Sequence, residues 1–408
     1  MALTAGVRLI AIGPPLALVD DDTAAVATAL AAAGVGVESR TLVEEDEAAL
    51  ERALMPPTTL TVLVAGPGGS TGDVVRRVLA RATGTRLVLN ERMLAELEAQ
   101  HRRRDRPLPR RDERLALLPQ GAVVWTDGEP AWALETDAAA WVVLPRGGLG
   151  TATTDALVDF ARARLGRGGA SAVRTLRTAG VALAEVETRL APWLGPDGGG
   201  DVLVTAVPTD GEVWVRLRAR GVTPEAAVDT LAAAEQEVAQ ALGADCYGRD
   251  GDALEQVVGR QLVARGLTLA VAESCTGGLL GHRLTGIAGS SAFFERGVVV
   301  YSNRAKQELL GVPEEILRTH GAVSRPCAEA MVRGICERSG AACGLSITGI
   351  AGPDGGTPTK PVGTVFIGVA VPGAVEALHF SFAGGRAAVK WQSSHVALDM
   401  LRRRLGGV

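Results

Sequence analysis

An apolar run that stops in a polar, glycine-bearing turn and restarts as a helix leaves a chain few ways to fold. Leu267–Ala272 (LTLAVA) is such a run, Glu273-Ser274-Cys275-Thr276-Gly277-Gly278 is the turn, and Leu279–Leu284 is helix-like. Strand, small polar and glycine turn, then helix is the order in which an α/β protein offers backbone N–H groups to an anion. Downstream, GSSAFF (Gly289–Phe294) leads into the apolar run Gly297–Tyr301 and then Ser302-Asn303-Arg304-Ala305-Lys306. From Leu345 the chain reads LSITGIAGPDGGTPTKPVGTVFIGVA: an apolar run ending in Thr348-Gly349, a glycine and proline loop, and a new strand near Val362. This pattern predicts an α/β domain.

The strings AESCTGG (272–278), GSS (289–291), YSNRAK (301–306), HGAVS (320–324), TGIAGPDGG (348–356) and KPVGTV (360–365) occur in that order. Together they resemble the C-terminal domain of the CinA family, the competence/damage-inducible proteins, which is a nicotinamide-nucleotide amidohydrolase domain. The resemblance implies hydrolysis of the carboxamide of nicotinamide mononucleotide to the acid and ammonia, by a cytoplasmic homodimer needing no cofactor for that reaction. It implies that Ser274, Tyr301 and Lys306 form the catalytic group. It also implies that Glu273, Thr276, Gly277, Gly278, Ser291, Asn303, Thr348, Gly349, Gly352 and Arg386 belong to the substrate site.

Hydrolysing an amide needs a nucleophile, a base and donors for the oxyanion. His320 is the one histidine in these strings and no Asp is placed to orient it, so a Ser-His-Asp arrangement fits poorly. Serine with lysine is the alternative found on other folds. Ser274 stands at a strand-to-helix turn, with the N–H groups of Thr276, Gly277 and Gly278 beside it for an oxyanion or a phosphate. Lys306 works as a base where burial or a neighbouring cation lowers its pKa, and Tyr301 is a proton relay or hydrogen-bond partner. Ser291 is a rival nucleophile, and Cys275 another, without a histidine in the motif. The plainer expectations are that Ser274 caps a helix, that Lys306 is a solvated charge, and that Tyr301 closes an apolar face.

The chain has 408 residues, too many for one ordinary core. We divide it into an α/β domain over 1–168, a small α+β domain over 169–248 and the α/β domain over 249–408. Hydrophobic residues make up 47% and charged ones 22%, the balance of a globular protein. Aromatics are only 3%, which leaves few platforms for base stacking, and the net charge of −4 argues against a broad nucleic-acid surface. Five cysteines with no CxxC pair argue against a disulfide framework or a zinc site. No signal peptide or membrane span is evident.

In the first domain Val7–Ile12, Val35–Val43 and Leu60–Ala65 read as strands, and Thr23–Ala33, Glu44–Leu54 and Gly72–Ala82 as helices, the alternation of a parallel sheet. The cluster Gly66–Gly72 after a strand is an anion-loop candidate. The position resembles the CinA N-terminal domain, of the molybdopterin-binding type. That domain in some members is a metal-dependent ADP-ribose pyrophosphatase, but its motifs are replaced here, with Asp73 alone nearby. A divalent metal is expected only if that reaction survives. The basic run Gln100–Arg114 reads as a solvated helix end and loop.

In the second domain Arg174–Trp193 reads as helix with turns, Gly195–Gly200 as a loop, Val202–Val207 and Glu212–Ala219 as a hairpin, and Pro224–Leu242 as a helix capped by Thr223, an αββα pattern. It resembles the K-homology-like domain of the family but lacks a GXXG clamp for RNA, and is read as a spacer. In the third, the loop Gly349–Lys360 is expected to be ordered by substrate or a neighbouring subunit, and Arg386 at a helix start to meet a phosphate. Two rival readings are a non-catalytic nucleotide-binding or scaffold protein of competence or damage response, and an N-terminal pyrophosphatase.

Overall fold

The structure is a computed structural model that describes residues 4–13, 21–33, 35–65, 69–125, 130–147, 150–165, 170–194, 201–209, 211–221 and 224–407. Residues 66–68 of the glycine cluster, the Gly195–Gly200 loop and the Thr223 cap lie outside the described residues. The chain divides into two compact units, Met1–Val173 with Ala219–Leu231, and Arg174–Arg218 with Ala232–Val408.

The first unit is built on a six-stranded sheet. Thr4–Ile12 pairs in parallel with Val37–Val43 and Thr58–Val64, and Thr58–Val64 with Ala140–Leu144. Apolar residues sit on both faces of these strands: Ile10, Ile12 and Leu63 enter one core, and Leu9, Leu60, Val62 and Val64 the other. Both faces must therefore be covered, as in parallel sheets generally. The sheet is mixed rather than wholly parallel, because Ala131–Glu135 runs antiparallel to Ala140–Leu144 and to Val123–Trp125. The basic run closes the helix Glu91–Arg103 and forms the short 3-10 helix Arg110–Ala116, with Arg103 paired to Glu96 at 2.8 Å. Asp73 is held by Arg76 and, at 3.5 Å, by Arg114. With that carboxylate occupied by two guanidinium groups, these residues do not fit a divalent ion.

The second unit holds a four-stranded sheet ahead of a five-stranded one. Arg174–Trp193 is not helical throughout: Ala170–Ala179 is a strand, and a helix follows only at Leu183–Leu190. Buried Ala172, Leu176 and Thr178 alternate with half-exposed Val173, Thr175 and Arg177, the period of a strand. Cys246–Arg249 adds a fourth strand, so the pattern is βαββαβ rather than αββα, in the sheet order Val202–Thr209, Glu212–Gly221, Ala170–Ala179, Cys246–Arg249.

The rest of this unit is a three-layer α/β/α arrangement whose elements we label from here. In chain order they are α1 (Leu254–Arg265), β1 (Leu269–Glu273), α2 (Leu279–Thr285), β2 (Phe294–Val299) and α3 (Asn303–Leu310). Then come α4 (Glu314–His320), α5 (Arg325–Ser339), β3 (Cys343–Gly349), β4 (Thr364–Val371), β5 (Ala374–Ser381) and α6 (Arg386–Gly406). The five strands lie in the order β2-β1-β3-β4-β5. β1 is parallel to β2 and β3, and β4 is antiparallel to β3 and β5. Leu269, Val271, Leu345 and Ile347 pack with α1 and α6 through Val258, Leu262, Val389 and Leu398, while Ala270 and Ala272 face Met331 and Ile335 of α5. The chain leaves β1 toward β2 on one side and returns to β3 on the other. That reversal opens a crevice at the carboxyl end of β1.

Ser324 caps α5, its Oγ accepting the Cys327 N–H at 3.3 Å. Along α6, buried His395 lies between Arg283, whose Nη2 is 3.4 Å from Nδ1, and Glu212 of the four-stranded sheet, 3.6 Å from Nε2. Burial, and then the Arg283 guanidinium, push its pKa down to about 3.

Candidate active site

β1 is buried along its whole length and stops at Glu273. The Ser274 N–H still donates to the Ile347 carbonyl at 3.0 Å, continuing the ladder to β3, and the Gly277 N–H donates to the Ser274 carbonyl at 3.1 Å, closing the turn. Gly277 and Gly278 take φ of +61° and +94°, a left-handed pair that a side chain would strain. Ser274 is therefore placed at a bend at the mouth of the crevice, 8% exposed. It does not cap α2. That task falls to Glu273, whose carboxylate accepts the N–H groups of Gly278, Leu280 and Gly281.

Lys306 comes from the first turns of α3, which Ser302 caps through the Ala305 N–H at 3.0 Å. Its side chain turns inward and is 1% exposed. Nζ lies 3.0 Å from Ser274 Oγ and 2.8 Å from the Val300 carbonyl. Among the described residues no carboxylate pairs with it. Burial of an ammonium without a counter-charge favours the neutral amine, and the Lys306 pKa falls below the ordinary lysine value. A neutral amine can give one N–H to Val300 and turn its lone pair toward the Ser274 hydroxyl.

Both side chains line a cavity of about 260 Å³. Its walls are Ser274 and Cys275 of the β1 turn, Tyr301 and Lys306 around the start of α3, Ala322 and Val323 before α5, and residues 348–352 with Asp354 and Gly355 after β3; Arg386 at the start of α6 completes them. Thr348, buried, spends its hydroxyl on the Ala322 carbonyl at 2.8 Å. Arg386 donates to the Gly352 carbonyl at 2.8 Å and to the Tyr301 hydroxyl at 3.0 Å. Tyr301 is 61% exposed, and no hydrogen bond joins it to Ser274 or Lys306. The Cys275 thiol is pushed up to about 11 by burial, so it is protonated near neutrality and weak as a nucleophile.

The remaining residues drawn from the sequence lie outside this wall. Glu273, Thr276, Gly277 and Gly278 form the turn behind Ser274, and the Gly278 N–H is committed to Glu273, which removes it as an oxyanion donor. Ser291 is in an exposed 3-10 turn, and Asn303 is exposed on α3. His320 is exposed and does not line the cavity. The Gly349–Lys360 loop is bonded to its own chain. Lys360 Nζ holds the Val323 and His320 carbonyls at 2.7 and 3.1 Å, and Arg386 holds Gly352. Sequence reasoning missed the Val300 carbonyl, and it quoted HGAVS without assigning Ala322 and Val323 to the wall. The Val300 carbonyl is a backbone atom, without a side-chain signal. Among the described residues no group of three or more His, Cys, Asp and Glu could hold a metal ion, and no helix is long and apolar enough to cross a membrane.

Comparison with known proteins places these residues in context. The family model described as the CinA C-terminal domain matches residues 251–405, and that of the damage-inducible protein CinA KH domain matches residues 173–248. A CinA-like protein of Gemmatimonas aurantiaca is 36% identical over 414 residues, covering 97% of this chain and 96% of that protein. One from Geobacter sulfurreducens is 38% identical over 399 residues, covering 95% of each. Among solved structures, a competence-damaged protein (CinA) superfamily protein from Klebsiella pneumoniae is 39% identical, covers 38% of this chain and 97% of its own, and superposes with a TM-score of 0.37.

Proposed function

This chain belongs to the CinA family, and on that premise we propose that its C-terminal region hydrolyses the carboxamide of nicotinamide mononucleotide to nicotinate mononucleotide and ammonia. One observation carries the reading: a lysine amine, buried without a carboxylate, stands 3.0 Å from a serine hydroxyl at the wall of a cavity. In this reading Lys306 takes the proton as Ser274 Oγ attacks the carbonyl carbon. The tetrahedral intermediate collapses when Lys306 returns that proton to the leaving amine, giving ammonia and an acyl-serine. Water, deprotonated by the same amine, then frees the acid and restores the hydroxyl. The pyridinium ring withdraws electrons from the carbonyl, so a modestly activated serine suffices. With Gly277 and Gly278 committed elsewhere, the N–H groups of Cys275 and Thr276 are the donors left in the turn for the oxyanion.

Arg386 suits the phosphate of the mononucleotide, and Tyr301 serves as its hydrogen-bond partner. The test is ammonia release from the mononucleotide by the full chain, with and without chelator. Release that survives chelator and disappears in Ser274→Ala supports the reading. Tight binding without turnover would replace it with a nucleotide-binding protein.

A further inference from the structure

We infer that Glu273 is a positioning residue for this hydrolysis, an inference that rests on the reading above. The resemblance put Glu273 in the substrate site, yet the residue is 2% exposed and outside the cavity wall. Its carboxylate faces the start of α2: Oε2 accepts the N–H groups of Gly278 at 3.0 Å and Leu280 at 3.1 Å, and Oε1 that of Gly281 at 2.8 Å. The first N–H groups of a helix have no partner within it. Gly278 has no side chain to cap them, and two successive left-handed glycines make the turn between Ser274 and α2 inherently pliable. The carboxylate supplies both the acceptors and the rigidity. The same residue also reaches the base. Its backbone carbonyl accepts the Val300 N–H at 2.8 Å, and the Val300 carbonyl accepts from Lys306 Nζ at 2.8 Å. Glu273 thus ties the nucleophile's turn through its side chain and the lysine's anchor through its main chain. It sets the separation of Oγ and Nζ without touching substrate.

A positioning role has its own kinetic signature. In the full chain, Glu273→Ala should lower kcat on nicotinamide mononucleotide by about a hundredfold, the usual effect of displacing a reacting group by about 1 Å. KM should stay within about threefold, because no substrate contact is lost. Glu273→Gln keeps the shape and one acceptor oxygen for Gly278 and Leu280, and should recover about a tenfold share of that loss, as a single hydrogen-bond acceptor would. The pH at which kcat/KM levels off should not move in either variant. A raised KM with unchanged kcat would show that the carboxylate contacts substrate and would overturn the inference. So would Glu273→Ala turning over like wild type. If Glu273→Ala loses its far-UV circular dichroism, Glu273→Gln decides alone: folded and fully active, it sinks the proposal. A wild type that releases no ammonia instead defeats the functional reading, and the positioning role falls with it.

Discussion

Replacing Lys306 by methionine tests the proposed chemistry at its base. The substitution keeps the volume of a side chain that is 1% exposed, and removes the amine 3.0 Å from Ser274 Oγ. The Lys306 pKa is depressed because the ammonium is buried among neutral partners. Below that depressed value, the amine form grows tenfold per pH unit, and each such unit is about 1.36 kcal/mol of barrier. Wild-type kcat/KM for ammonia release should therefore rise tenfold per pH unit and level off below the ordinary lysine value of 10.5. Loss of a general base costs on the order of 10²–10⁴ in rate, so Lys306→Met should fall by that factor and lose the sloping limb altogether. Ser274→Ala combined with Lys306→Met should be no worse than the poorer single variant, because the two act as one unit. The same shift carries a stability signature with a definite sign. The native state binds fewer protons than the unfolded one between the depressed value and 10.5, so wild type should gain stability relative to Lys306→Met as pH rises through that window. The slope should be at most about 1.36 kcal/mol per pH unit. A Lys306→Met enzyme that kept the wild-type pH limb, or worked within tenfold of wild type, would refute the assignment of Lys306 as base.

Other expectations are simpler to read. Cys275→Ala should keep activity within about threefold, since a thiol pushed up to about 11 is not the nucleophile; a hundredfold loss would reopen that assignment. Arg386→Met should raise KM for the mononucleotide at least about tenfold and leave the unphosphorylated riboside little changed, which steady-state ammonia assays on both substrates would show. Gly334→Ala would drive a methyl to 1.9 Å from the Leu310 carbonyl at the end of α3, so we expect thermal unfolding to register a loss of about 1–3 kcal/mol, with activity falling as Lys306 shifts. His395 is held neutral down to about pH 3, so wild type should lose up to about 1.36 kcal/mol per pH unit between pH 6.5 and 3 relative to His395→Leu. Parallel acid melts would check the sign.

The parts of this fold that were legible are those decided locally. The apolar run into Ser274, the turn and helix after it, and the hairpin of Val202–Val207 with Glu212–Ala219 follow from periodicity and glycine placement within a few residues. Residues 174–179 read as helix because Arg174 and Arg177 at helical spacing mimic an exposed helix face. What makes Ala170–Ala179 a strand is pairing with Glu212–Gly221 on one side and Cys246–Arg249 on the other, both distant in sequence. Val123–Trp125, at the edge of the first sheet, and Ala131–Glu135, inside it, pair with neighbours in sequence but are only three and five residues long, too short for a periodicity to show. At the site, Ser274 and Lys306 were readable as types in a motif, but the burial of the lysine was not. A lysine just after a strand ordinarily points to water, and only the Val300 carbonyl and the packed α5 give this one an interior. Ser291 and Asn303 were implied by the strings GSS and YSNRAK, and membership of a string is not converted into a place on the wall by the turn before β2 and the start of α3.

Every residue of the cavity wall falls between Ser274 and Arg386. Lesions mapped along the gene should therefore sort into two phenotypic classes. On the proposed hydrolysis, substitutions at the wall residues should lower ammonia release, whereas substitutions at exposed Ser291, Asn303 and His320, inside the same stretch but off the wall, should leave it little changed.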